Sequence, residues 1–251
     1  MSGDRMVADG MAADGVEQGQ LVMPFYLICD VSFSMFHEIP ALNAGVKNLR
    51  QSIVSEPVVD DVAQICVMTF SNEAKVVVPL GPPSTTEIPT LVAENLTDYG
   101  TAFRTLAATI ETDRARLREQ GYRIYRPCAF FLTDGLPTDP DWHRTFVETL
   151  TYNVETREGM KAHPIFVPFG FRDAREEILR QLAYPPNRAK WYHTRAVAIE
   201  SVLGGLLDII KKSVVSSGLS VGTGQPNIIL PDPDPETGIT RHDSGYDENY
   251  V

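Results

Sequence analysis

Met23-Pro24-Phe25-Tyr26-Leu27-Ile28-Cys29-Asp30-Val31-Ser32-Phe33-Ser34 is an apolar run of strand length that stops on a carboxylate and continues into a loop carrying two hydroxyls. Immediately after it, Leu42, Val46, Leu49 and Ile53 recur at spacings of four, three and four, which is one face of a helix. The same alternation continues outward. Val62–Phe70 is a second buried strand, and Ala74–Pro79 follows a tight Ser71-Asn72 turn as its hairpin partner at a sheet edge. Thr101–Gln120 is helical and stops at Gly121. Cys128–Leu132 is a strand, a helix is expected from about Pro140 to Arg157, and Pro164–Phe169 is a further strand. Ala174–Leu182 reads as a short helix, Trp191-Tyr192 as a last strand and Ile199–Val215 as the final helix. Strands alternating with helices predict an α/β fold of three Rossmann-like layers. Its central sheet is mostly parallel with one antiparallel edge strand, and helices cover both faces.

In such sheets ligands bind beyond the C-terminal strand ends, near the point where strand order reverses. Three loops there are unusual. Asp30-Val31-Ser32-Phe33-Ser34 places oxygen-bearing side chains at alternate positions. Asp98-Tyr99-Gly100-Thr101 puts a hydroxyl at a helix start, after a glycine that lets the chain turn. Thr133-Asp134-Gly135-Leu136-Pro137-Thr138-Asp139 puts a carboxylate at a strand tip. If the loops are neighbours, Asp30, Ser32, Ser34, Thr101 and Asp134 form a set of oxygens without sulfur or nitrogen, the preference of a hard cation such as Mg²⁺. Direct bonds from hydroxyls would leave the ion electrophilic toward an open position, which an acidic side chain of a partner would fill.

D-V-S-F-S, G-T and L-T-D-G-L-P-T-D, in this order, resemble the metal-ion-dependent adhesion site of von Willebrand factor type A domains. The resemblance covers about Met23–Val215. It implies Ser32, Ser34 and Thr101 as direct ligands, Asp30 and Asp134 as the carboxylates, and Mg²⁺ as the ion, with Mn²⁺ or Ca²⁺ as substitutes. It further implies a non-enzymatic module whose ion is completed by an Asp or Glu carboxylate of a protein partner. The Pro-rich segment before the Thr motif is similar to bacterial tellurite-resistance-associated (TerY-like) proteins. That similarity implies a place beside a protein kinase and a phosphatase.

One departure stands out. Phe33 occupies a position between the serines where glycine is common, and Met35 and Phe36 follow. These side chains either pack under the first helix or form an apolar rim that offers a partner anchor area. The rival function is a metal-dependent phosphohydrolase with Asp30 as nucleophile. Against it, the haloacid dehalogenase type needs an Asp where this chain has Ser32, no phosphate-cradling G-x-x-x-x-G-K loop is present, and only His37 stands near as a base. Asp98 and Asp139 flank the motifs as ligands or, more ordinarily, as turn and helix caps.

Composition bounds the rest. The chain has 251 residues, 43% of them hydrophobic, and carries 22 basic against 33 acidic side chains, a net charge of −11. That balance argues against coating nucleic acid or an anionic membrane. No apolar run approaches the roughly 18–20 residues of a spanning helix. Cys29, Cys66 and Cys128 fall inside strand runs as small hydrophobes. Residues 1–20 lack a signal-like apolar region, so a cytoplasmic chain is expected. Residues 1–20 and 219–251 hold −3 and −5 of the charge and are expected as disordered acidic tails around a domain over 21–218. The second tail is Pro-rich and offers Ile228–Leu230, Tyr246 and Tyr250 as docking anchors.

Overall fold

Apolar side chains facing both ways along one strand require cover on both sides, and β1, Leu21–Asp30, is buried along nearly all its length. The computed structural model describes residues 19–94, 96–194, 199–248 and 250. After β1 come a 3-10 turn at Phe33–His37, α1 at Ile39–Val54, α2 at Pro57–Val62, β2 at Ala63–Phe70 and β3 at Ala74–Gly81. Then follow α3 at Tyr99–Glu119, β4 at Arg123–Ile124, β5 at Cys128–Thr133 and α4 at Trp142–Leu150. The chain continues through β6 at Ile165–Phe171, α5 at Glu176–Leu182, β7 at Lys190–Thr194, α6 at Ile199–Gly222 and β8 at Thr240–Asp243. No helix among the described residues is long and apolar enough to cross a membrane.

The sheet runs β3-β2-β1-β5-β6-β7-β8, with the short β4 beside the start of β1. β2, β1, β5, β6 and β7 are parallel, whereas β3 pairs antiparallel with β2 and forms the expected edge. Side chains alternate between two cores. Phe25, Leu27, Cys29, Phe130 and Leu132 face the side covered by α1 and α6, with Leu42, Val46, Leu206 and Ile210. Tyr26, Ile28, Ala129 and Phe131 face the α3 and α4 side, with Phe103, Leu106 and Phe146. Phe131 stacks on Phe70 with ring centroids 4.8 Å apart and meets Tyr99 edge-on at 4.9 Å. The three cysteines are free and buried within strands, and burial pushes their thiols well above the ordinary range.

Three expectations change. The fourth helix ends at Leu150 instead of Arg157, because the next residues turn back on themselves. Tyr152 bridges to Gly159, Asn153 Oδ1 accepts from the N–H groups of Glu155 and Thr156, and Gly159 takes φ +89 in close approach to the Thr151 carbonyl. The last helix runs on to Gly222. Residues 223–248, expected as disordered, lie against the domain. Ser217 Oγ accepts from the Ile229 N–H at 2.8 Å, and Ser213 Oγ donates to the Ile229 carbonyl at 2.6 Å. Ile228 and Ile239 are buried, and β8 pairs antiparallel with β7 to make a second edge. Tyr246 then packs on Phe146 and Tyr184, and Tyr250 on Trp142. The acidic composition hid this because an edge strand needs backbone groups more than apolar side chains, and a few anchors hold the rest. The expected N-terminal tail lies, but for residues 19 and 20, outside the described residues.

Candidate functional site

The chain leaves β1 toward β2 and β3 on one side, and later extends from β5 toward β7 on the other. The strand order therefore reverses between β1 and β5, which are hydrogen-bonded neighbours with Cys29 opposite Leu132. Asp30 and Thr133, one residue further on, stand at adjacent strand tips. Thr133 Oγ1 donates to Asp30 Oδ2 at 2.8 Å, while Asp30 Oδ1 accepts from the Ser32 N–H at 2.9 Å. From there a chain of hydroxyls crosses the crevice. Ser32 Oγ and Ser34 Oγ are 3.0 Å apart, and Ser34 Oγ donates to Asp134 Oδ1 at 2.8 Å. Four of the five expected residues, separated by up to 104 positions in sequence, are thus one connected group.

Among the described residues Thr101 is not hydrogen-bonded into this group. Its N–H is capped by Asp98 Oδ1 at 2.7 Å, and among the described residues its hydroxyl accepts from Arg104 Nη2 at 3.4 Å. The start of α3 is tied down to the loop after β5. Asp139 accepts from the N–H groups of Tyr99 and Gly100 at 2.9 and 3.0 Å, and the Thr138 N–H donates to the Thr97 carbonyl at 2.9 Å. Asp98 and Asp139 are therefore caps, the more ordinary of their two readings. A side chain at Gly100 would meet the Asp139 carboxylate at 2.9 Å and push it off the helix start it caps. Tyr99 Oη, buried, lies 3.0 Å from both Thr133 Oγ1 and the Gly135 carbonyl, which fixes the loop from below.

Asp30, Ser32 and Asp134 are all buried, and Ser34 is exposed. Burial in a low-dielectric crevice raises the Asp30 carboxyl to about 7, against the pull of its Ser32 and Thr133 hydrogen bonds, with the nearby Asp134 charge adding to the rise. Burial also raises Asp134, although Ser34 and Arg172 hold it down. Two desolvated carboxylates facing each other across hydroxyls form a site short of positive charge. No group of three or more His, Cys, Asp or Glu side chains converges for a metal among the described residues. Any ion here would meet hydroxyls and two carboxylates, which suits a hard cation and not a thiolate- or imidazole-seeking one.

Sequence reasoning missed two residues. Arg172, at the tip of β6, donates from Nη1 to the Ser34 carbonyl at 2.8 Å and to Asp134 Oδ2 at 3.3 Å. Its Nη2 donates to Glu38 Oε1, and Glu38 is buried with Oε2 left without a partner among the described residues. Arg172 adopts φ +53, a left-handed conformation that costs a non-glycine residue on the order of 1 kcal/mol, so its bonds hold it there against strain. The rule that ligands gather at strand tips could have flagged Arg172, since it directly follows the β6 run. The choice left open for the aromatic residues is also resolved. Met35 is buried under α1, whereas Phe33 is 72% and Phe36 59% exposed, stacked on each other at 6.3 Å.

Neither a protein-family model nor a curated protein matches the chain. Solved structures do. A von Willebrand factor type A protein from Catenulispora acidiphila aligns with a TM-score of 0.51 at 16% identity, over 78% of this chain and 43% of that one. The pilus adhesin SpaC from Lactobacillus rhamnosus GG aligns at 0.52 and 14% identity, over 78% and 30%. The D319A mutant of the PilB minor pilin from Streptococcus sanguinis aligns at 0.53 and 13% identity, over 85% and 65%. The chain thus spans less than two thirds of each of these proteins. The fold is that of von Willebrand factor type A domains, a Rossmann-like sheet with helices on both faces.

Proposed function

We propose that this chain is a non-enzymatic, metal-dependent protein-interaction module. In it Ser32, Ser34 and Thr101 hold Mg²⁺ directly, and Asp30 and Asp134 supply the balancing charge. The observation that carries the reading is the continuous Asp30–Ser32–Ser34–Asp134 group at the reversal of strand order. Its donors fit the ion: all are oxygens, and both carboxylates are desolvated, with Arg172 beside Asp134 and Arg104 beside Thr101 as the cations in contact among the described residues. When bound, the ion would supply an electrophilic position open to an Asp or Glu carboxylate of a protein partner. Asp30 orients the Ser32 loop through its N–H, and Asp134 orients the Ser34 hydroxyl. That the same fold serves a pilus adhesin agrees with an interaction role. Mn²⁺ and Ca²⁺ would substitute. A cytoplasmic setting beside a kinase and a phosphatase, as in tellurite-resistance-type systems, completes the reading, and the genes flanking this one test it.

The phosphohydrolase alternative is disfavoured by Asp30 itself. The residue has no exposed surface through which either oxygen would reach a phosphorus atom.

The test is thermal unfolding with and without Mg²⁺. At a hundredfold excess over Kd, binding adds about 2.7 kcal/mol, a rise in Tm of about 5–10 °C for a chain of this size. EDTA reverses the rise. The response depends on pH with a definite sign. Because burial raises Asp30 to about 7 and also raises Asp134, the metal-free fold binds more protons than the unfolded chain over this interval. Its stability falls as pH climbs from about 4 through about 7. Metal needs the deprotonated carboxylates, so apparent affinity climbs up to about tenfold per pH unit below 7 and levels off above. A Mg²⁺ response that is absent, or that weakens between pH 5 and pH 8, would overturn the proposal.

A further inference from the structure

Ten large apolar side chains are exposed among the described residues, and four of them gather on two joined loops at the candidate site. Phe33 and Phe36 stand on the segment that carries Ser32 and Ser34. Val92 and Leu96, 63% and 56% exposed, stand on the loop preceding α3. The two loops are stitched by the Glu94 N–H to the Val31 carbonyl at 2.6 Å. Single exposed apolar residues need no explanation, but a group of them beside a polar crevice marks an interaction surface. The Phe33 and Phe36 rings stack on each other, and His37 meets Phe36 edge-on at 5.3 Å, so the aromatic pair is preassembled. Preassembled aromatic anchors at the edge of a buried polar contact are the usual carriers of binding energy. On the crevice itself, Arg172 adds a partly exposed cation at the Ser34 carbonyl.

We propose that this rim docks a protein segment in which the acidic residue that meets the ion is flanked by an aromatic or large aliphatic side chain. The inference rests on the proposed metal site and names the class of its partner. The ion's open position selects the acid, and the Arg172 guanidinium, 26% exposed and paired with Glu38 and Asp134, keeps those two carboxylates from repelling it. Phe33 and Phe36 select the neighbour, because an apolar flank removes their surface from water while a serine flank leaves it wet.

The test uses the full chain in Mg²⁺ and three labelled peptides: one Asp flanked by Phe, the same Asp flanked by Ser, and a Phe-flanked Asn control. Fluorescence anisotropy should show the Phe-flanked Asp peptide binding at least about tenfold tighter than the Ser-flanked one, with the Asn control and EDTA abolishing binding. Phe33→Ser/Phe36→Ser should erase the preference while leaving the Mg²⁺ rise in Tm intact. Phe36→Ser alone, outside the serine loop, should reduce it. Equal binding of both Asp peptides, or a preference that survives the double variant, overturns the inference while the Mg²⁺ response stands. Loss of the Mg²⁺ response in the unaltered chain overturns the metal reading instead. Self-association that Phe33→Ser/Phe36→Ser dissolves would identify a second copy as the occupant and also overturn the inference.

Discussion

Asp30→Asn is expected to abolish the Mg²⁺ response and, at the same time, to make the metal-free protein more stable at pH 8. Most changes at a buried hydrogen-bonded carboxylate destabilise, so the sign is diagnostic. At pH 8 the native Asp30 is charged in a crevice where burial has raised it to about 7, whereas in the unfolded chain it titrates near 4. A carboxyl so displaced costs the fold on the order of 4 kcal/mol at that pH. The amide carries no charge and can be accommodated. Its Oδ1 accepts from the Ser32 N–H, and its Nδ2 donates to Thr133 Oγ1, which turns its own proton toward Tyr99 Oη. Tyr99 then donates to the Gly135 carbonyl, already 3.0 Å away. Allowing for imperfect geometry, the gain should be on the order of 2–4 kcal/mol, growing from pH 4 to pH 7 and flat above. Metal affinity should fall by at least about a hundredfold. Urea unfolding across pH with and without Mg²⁺ measures both. A metal-free Asp30→Asn protein less stable than the parent at pH 8 would show that the crevice already stabilises this charge.

Arg172→Ala should cost about 3–5 kcal/mol of stability, because it strands the buried Glu38 carboxylate. Glu38 Oε2 has no partner among the described residues, so removing the guanidinium from Oε1 leaves the group with little but desolvation. Adding Glu38→Gln should restore most of the loss by removing the stranded charge. If the double variant is no more stable than the single one, the deficit comes from Arg172's bonds to Ser34 and Asp134 instead. The same single variant should bind Mg²⁺ more tightly at pH 8, since a cation is removed from Asp134. A double-mutant cycle in urea, with Mg²⁺ titrations on each corner, separates the two effects.

Much of this was legible in the chain because it depends on local chemistry. The alternation along Met23–Cys29 and Cys128–Leu132 gave the two-sided strands, and the Asp30 and Asp134 tips followed from where those runs stop. Their convergence needed β1 and β5 to be neighbours, which the strand order supplies. What stayed hidden depends on contacts at long range. Nothing near Arg172 in sequence announces that its partners will be Ser34 and Glu38, 138 and 134 residues away. Ser213 and Ser217 look like weak helix formers, yet they hold the returning chain at Ile229, so the helix runs past them. Thr101 is the opposite case. It was legible as a helix start, yet its hydroxyl is turned to Arg104 and is not bonded into the group.

A crystal of the full chain grown in Mn²⁺, with an anomalous difference map collected at the manganese edge, decides whether these five side chains share one ion. The expected result is one peak bonded to the hydroxyls of Ser32 and Ser34, flanked by the Asp30 and Asp134 carboxylates, with the Thr101 hydroxyl turned from Arg104 to reach it. A map with no peak in that crevice, or with manganese bound only elsewhere on the acidic surface, would contradict the account.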